Sequence, residues 1–222
     1  MQSIFATADP LPRGPHQLSR EQVAASQRLR LMAAFTQLLA ANGYAAVTIG
    51  ELTRTAGVSR AAFYEHFADK QECLFAAYDH FAATLIAAMT SALEEDTPWD
   101  AFIDTTLGGY LGTLEGDPIA ARAFLVEMDG AGKAARERRS IALHAFAELL
   151  GQRHEEIRAR DASLGPLPAR VHRGLVLGIR ELAREALEAE AAPALTAMAP
   201  DIVLWITAAI EGAEAAHRHQ QA

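Results

Sequence analysis

The sequence predicts an all-α protein. Alanine is abundant and runs of β-branched residues are rare, so strand formers are nearly missing from the chain. Apolar residues recur at spacings of three and four, the period of one helix face. Helix starts are marked repeatedly by Ser, Thr or Asp three residues before Gln or Glu, or directly before Pro.

The first helix opens at Ser19 with Gln22, runs through Val23, Leu29, Met32, Phe35, Leu38 and Leu39, and ends at Asn42-Gly43. Thr48 with Glu51 opens a short second helix that must stop at Gly57, and Ser59 caps a third that ends near Phe67. Asp69 with Glu72 opens a long helix reaching about Leu93, with Cys73, Leu74, Ala77, Phe81, Leu85, Ala88 and Met89 on one face. Thr97-Pro98 and Asp117-Pro118 start two more. The inner face of the first of these is Trp99, Phe102, Ile103, Thr106, Tyr110, Leu111 and Leu114. An arginine-rich helix from Lys133 to Arg160 is expected to bury Ile141, Ala145, Leu149 and Leu150, and the segment Leu164 to Pro168 breaks it. Helices over Ala169–Glu190 and Pro200–His219 close the chain.

Composition narrows the function classes. The chain has 222 residues, half of them apolar, enough to bury more than one core. Its single cysteine, Cys73, allows no intrachain disulfide and fits a reducing compartment; on an apolar helix face it reads as a small buried hydrophobe. Residues 1–18, interrupted by Asp9, Pro10, Pro12, Gly14 and Pro15, are expected to form a flexible arm without a secretory signal; Arg13 is within reach of a minor groove, but a disordered arm without contact is the favoured reading. The apolar run Ile202 to Ile210 is short for a bilayer, so a soluble, cytoplasmic protein is expected. The net charge of −8 argues against indiscriminate nucleic-acid binding, but the acid is concentrated after residue 75.

Residues 48–70 carry the functional signal: a short helix, the turn Ala56-Gly57, and a second short helix with its own cap, Ser59, form a helix-turn-helix whose second helix enters a major groove. Leu52 and Val58 pack the pair together, and Ser59 leaves backbone amides facing a phosphate. Phe63 and Phe67, four apart, anchor the second helix inward, leaving Arg60, Ala61, Ala62, Tyr64 and His66 outward. Arg60 is suited to guanine, and the alanine methyls to thymine.

This segment resembles the TetR family of bacterial transcriptional regulators through Thr48, Ile49, Leu52, Ala56, Gly57, Val58, Ser59, Phe63, Tyr64, His66, Phe67 and Lys70, with Gly43-Tyr44 upstream. Ala61 and Ala62 stand where family members often have Gly and Thr, and Thr53 where they often have Ala. The resemblance implies DNA contacts at Thr48, Ser59, Arg60, Ala61, Ala62, Tyr64, His66 and Lys70, with Lys70 on phosphate. It also implies three regions: an arm over 1–18, a helix-turn-helix DNA-binding domain over 19–68, and a ligand-binding and dimerisation domain over 69–222.

A ligand-responsive repressor that binds a palindromic operator as a homodimer is the expected function. The alternatives are a hydrophobic small-molecule carrier and an effector-independent DNA-binding protein. Val171, Leu175, Gly178 and Leu182, with Leu204, Trp205, Ala208 and Gly212, form the expected dimer face. Phe102, Tyr110, Phe124, Met128 and Phe146 are candidate walls of a pocket for a small, largely apolar effector, with Tyr110, His144 or His172 as polar contacts.

No catalytic residues, cofactor or metal are expected. Gly130 to Lys133 is followed by Ala134 where a phosphate loop needs Ser or Thr. Ser59 lacks the sheet and final glycine of a nucleophile elbow. His217 and His219 fall on different helix faces, and His144, His154 and His172 have no ligand spacing.

Overall fold

The computed structural model describes residues 4–5, 19–161 and 164–221, with side chains to residue 216 apart from Glu214. Among the described residues the fold is all-α: α1 (Arg20–Ala46), α2 (Ile49–Ala56), α3 (Arg60–His66), α4 (Lys70–Thr90), α5 (Trp99–Gly116), α6 (Pro118–Leu125), α7 (Lys133–Arg158), α8 (Ala169–Ala189) and α9 (Ala199–Gln221). Short 3-10 turns at Glu127–Ala131 and Leu195–Met198 precede α7 and α9. Arg13 and most of the expected arm lie outside the described residues, as do the side chains of His217 and His219.

Two compact units divide the chain. The first is Met1–Thr84 with Gly116–Arg136, and the second is Leu85–Glu115 with Glu137–Ala222. In the first, α1 packs on α2, α3, α6 and the 3-10 turn that follows α6. Leu31, Phe35, Leu39, Leu52, Phe63, Phe67 and Leu74 are fully buried there. Leu31 is absent from the apolar face expected for α1, whose members Val23, Leu29 and Leu38 are only half-buried.

The helix starts follow their caps. Ser19 and Gln22 make both bonds of a capping box. Asp117 accepts from Ala120 N with Pro118 at the first helical position. Thr97 differs: its hydroxyl accepts from Glu94 N, closing the preceding turn, and the helix begins at Trp99. Gly43, at φ +72°, interrupts α1 where Asn42-Gly43 was expected to end it.

In the second unit the core of α5 is Trp99, Phe102, Ile103, Leu107, Leu111 and Leu114. Helix α7 departs from the expectation. Ile141 is 70% exposed and Leu149 44%, and Ala145 is exposed too, whereas Ala147, Leu150, His154 and Ile157 are buried. Alanines surround this helix, so two apolar stripes satisfy the same period, and the one holding His154 turns inward.

Two stretches, Lys70–Thr90 and Leu195–Ala213, are long and apolar enough to cross a membrane by length and composition. The run Ile202–Ile210 counts only consecutive apolar residues, and buried core helices of soluble proteins pass the same length and composition test, so the expectation drawn from that run is not contradicted. In α4 the apolar side chains are spent on the protein's interior: Cys73, Leu74, Ala77, Tyr78 and Phe81 are buried.

Candidate nucleic-acid interface

The reading element is built from α2 and α3 on a platform made by α1. Thr48 caps α2 by accepting from Glu51 N at 3.2 Å, and its hydroxyl donates to the Glu51 carboxylate at 3.0 Å. Gly57 ends α2 at φ +62° and ψ +37°, a left-handed conformation that costs other residues a clash at Cβ. Ser59 then caps α3 through Ala62 N at 3.1 Å.

Phe63 is fully buried and Phe67 nearly so, their rings 5.8 Å apart, and they fix the rotation of α3. The opposite face is left to solvent. Arg60 and Ala61 are exposed, Tyr64 is 49% exposed, and Ala62 is half-buried. Arg60 and Tyr64, four apart on that face, meet: Nη2 donates to the tyrosine hydroxyl at 3.5 Å, and the guanidinium lies 5.9 Å from the ring centroid. The pair presents a cation and a phenol side by side.

His66 and Lys70 stand differently. His66 is half-buried, and its Nε2 donates to the Gln27 side-chain oxygen at 3.0 Å. Burial lowers its pKa, as does the nearby Arg28, against a smaller opposing effect of Glu65. Lys70 Nζ donates to Tyr44 O at 3.1 Å and Val47 O at 2.9 Å, and lies 4.3 Å from the Tyr44 ring. The ammonium therefore closes the end of α1, where helix carbonyls lack intrahelical donors.

Two arginines of α1 do the same for the reading helices. Arg28 donates to His66 O at 3.2 Å while lying 4.5 Å from the Phe67 ring, and Arg30 donates to Ala56 O at 3.2 Å and Gly57 O at 3.4 Å. These supports escaped the sequence reading. The signal was present in principle, because the open carbonyls at each short helix's end demand donors.

The remaining candidates fall in separate places. Phe124 and Met128 are buried in the first unit, while Phe102, Tyr110, His144, Phe146 and His172 belong to the second. His144 is exposed beside Glu148 and Arg173. Phe102 stacks on Trp99, whose ring meets His154 edge-on at 4.7 Å, and His154 lies 5.4 Å from His172. An open groove of about 490 Å³ runs between α7 and α8 past Ser140, Leu143, Arg173, Leu177 and Arg180, and none of the expected effector residues lines it.

On the expected dimer face, Leu204 is 70% exposed, Trp205 40% and Leu182 39%. Ala208 and Gly212 are exposed, Val171 is half-buried, and Leu175 faces the protomer's own core. A Cβ at Gly178 would meet the Trp205 ring at 2.6 Å, so glycine permits α8 and α9 to touch. Cys73 is buried, and desolvation pushes its thiol up to about 12, so it is no thiolate nucleophile.

Residues 31–77, spanning α2 and α3 with parts of α1 and α4, match the family model described as bacterial regulatory proteins, tetR family. Over these residues the chain is similar to the TetR-family DNA-binding region. Solved structures share the TetR-like fold over most of its length. The regulator FadR from Bacillus subtilis, crystallised with stearoyl-CoA, is 17% identical at a TM-score of 0.73, covering 82% of this chain and 98% of its own. The fatty acid degradation regulator FadR from Bacillus halodurans is 16% identical at 0.69, covering 81% and 94%. NalD, the secondary repressor of the MexAB-OprM multidrug efflux pump in Pseudomonas aeruginosa, is 20% identical at 0.63, covering 85% and 97%. The match over residues 31–77 and the shared fold give an N-terminal helix-turn-helix region similar to that of tetR-family regulatory proteins, followed by a C-terminal helical part.

Proposed function

We propose that this protein is a DNA-binding transcriptional regulator, a cytoplasmic, homodimeric repressor that reads a palindromic operator and releases it on binding a small, largely apolar effector. The carrying observation is the exposed face of α3. Phe63 and Phe67 anchor the helix, while Arg60, Ala61 and Tyr64 are free of the core and supply base and phosphate chemistry. Arg60 takes the role of base reader. Thr48, Ser59, Tyr64 and His66 surround it as contacts to the backbone of DNA. Lys70 has one N–H beyond the two it gives to Tyr44 and Val47, and offers it to a phosphate.

Dimerisation is supported by the exposed Leu182, Leu204 and Trp205 on the last two helices, apolar area that a second copy would cover with two-fold symmetry. An acyl thioester is a reasonable first effector to try, because the FadR of similar fold was crystallised with stearoyl-CoA. By linkage, an effector that weakens operator binding is itself bound more weakly by the operator complex, at about 1.4 kcal/mol for each tenfold change.

The test is selection of the purified protein on random DNA. Two inverted half-sites about one helical turn apart are expected, and Arg60→Ala should relax one position in each at a cost of roughly 1–3 kcal/mol. Recovery of no consensus, or of a single unpaired half-site, would overturn the dimeric-repressor reading.

A further inference from the structure

The first unit contains a seat for a short segment. Its present occupant is Ile4–Phe5. The Phe5 side chain is 2% exposed, its ring 5.1 Å from that of His80 on α4 and 6.4 Å from that of Phe124 on α6. Ile4 is held by its backbone on both sides: its N–H donates to Asp117 Oδ2 at 2.8 Å, and its carbonyl accepts from His80 Nε2 at 3.3 Å. Since a carbonyl cannot donate, the imidazole carries its proton on Nε2 in this contact.

The seat is made by groups that other tasks already hold in place. Asp117 is 5% exposed, and its Oδ1 caps α6 through Ala120 N at 3.0 Å, which leaves Oδ2 for a second donor. Phe124 packs against Phe81 at 4.8 Å and Tyr78 at 5.9 Å, so α4 and α6 form the wall without help from Phe5. Without the occupant, a buried carboxylate oxygen and a phenyl-sized space between His80 and Phe124 would both be left unfilled, and each is costly.

Fourteen residues, 6–19, separate the occupant from α1 in sequence, among them Pro10, Pro12 and Pro15. The recognition elements are the amide N–H and the carbonyl of one residue and the aromatic ring of the next.

We propose that this is a binding site for an aromatic dipeptide unit, filled in this protein by Ile4–Phe5 and open to the same chemistry supplied from outside when the Phe5 ring is removed. The site takes a ligand by three contacts: N–H to Asp117, C=O to His80, and ring between His80 and Phe124. It shares no residue with the exposed face of α3 or with the groove on α7 and α8, and it does not depend on the repressor reading.

The experiment uses the full chain carrying Phe5→Ala, with N-acetyl-isoleucyl-phenylalaninamide as probe and N-acetyl-isoleucyl-alaninamide as control. Phe5→Ala should lower the melting temperature by about 5 °C or more, as for a buried phenylalanine in a chain of this size. Millimolar phenylalaninamide probe should recover part of that loss in a concentration-dependent way, and the alanine control should not. In Phe5→Ala combined with Asp117→Asn the cap is kept but the carboxylate acceptor is lost, and the probe should bind roughly tenfold more weakly. If Phe5→Ala does not fold, Phe5→Leu replaces it with the same pair of probes. A wild-type melting temperature, or equal response to the two probes, would overturn the proposal.

Discussion

Helices α3 and α7 both carry arginines on apolar scaffolds, yet only α3 is fixed by its own sequence. In α3, two phenylalanines four apart meet five outward residues that are small or polar, so one rotation of seven residues satisfies everything. In α7, alanines interleave with Ile141, Leu143, Leu149, Leu150 and Ile157 over twenty-six residues, and two rotations look alike. A short helix with a few large apolar residues is specified locally. A long alanine-rich helix is specified by whatever it packs against.

The widest gap between these regions should appear in stability. Phe63→Ala removes a fully buried ring and should cost about 3–5 kcal/mol in denaturant unfolding. Ile141→Ser, on the 70% exposed side chain of α7, should change stability by no more than about 0.5 kcal/mol. A loss from Ile141→Ser comparable with that from Phe63→Ala would show that the exposed α7 stripe is buried in the molecule in solution, and would dissolve the contrast.

A smaller effect separates the glycines. Gly57→Ala places a Cβ in a left-handed turn, 3.5 Å from the Arg30 guanidinium, and should destabilise by about 1–2 kcal/mol. Gly112→Ala lies inside α5 with nothing within 4 Å of the new Cβ, and should stabilise by about 0.5–1 kcal/mol. Opposite signs in paired thermal melts are the expected result. The same sign for both would mean that the α2–α3 turn is not held in the left-handed form.

What was legible in the sequence follows the same division. Ser19, Thr48, Gly57, Ser59, Asp117 and Pro118 each act through atoms within a few residues, and the structure uses each where its local chemistry placed it. The outward set of α3 followed from the inward phenylalanines. That Lys70 also donates to the carbonyls of Tyr44 and Val47 was not legible, because these partners are more than twenty residues away and carry no side-chain signature. Arg28 and Arg30 were invisible for the same reason. In the second unit the aromatic and histidine residues give no local sign of which neighbours they meet. Trp99, His154 and His172 come together from three helices, and pattern alone did not group them.

The smallest effect concerns two histidines, one in each unit. Burial is the first cause that lowers the pKa of both His66 and His172 below the ordinary 6.5; Arg28 adds to it at His66, while Glu155 opposes it at His172. Between the lowered and the ordinary value the unfolded chain binds more protons than the folded one, so stability rises with pH. It is complete above pH 6.5 and is lost as pH falls through the folded values. The lowered carboxylates Glu115, Glu155 and Glu181 act in the same direction, but only below their ordinary 4.5, which leaves the interval from pH 6.5 to 5 to the histidines. His172 is 3% exposed and its Nε2 has no hydrogen-bond partner, whereas His66 is half-buried and bonded to Gln27, so His172 should carry the larger share. Urea titrations across that interval should therefore show less acid sensitivity in His172→Gln than in His66→Gln, each compared with the parent at the same pH. If His66→Gln flattens the profile more, proximity to Arg28 and not depth of burial governs the titration, and the two units differ in electrostatics as well as in packing.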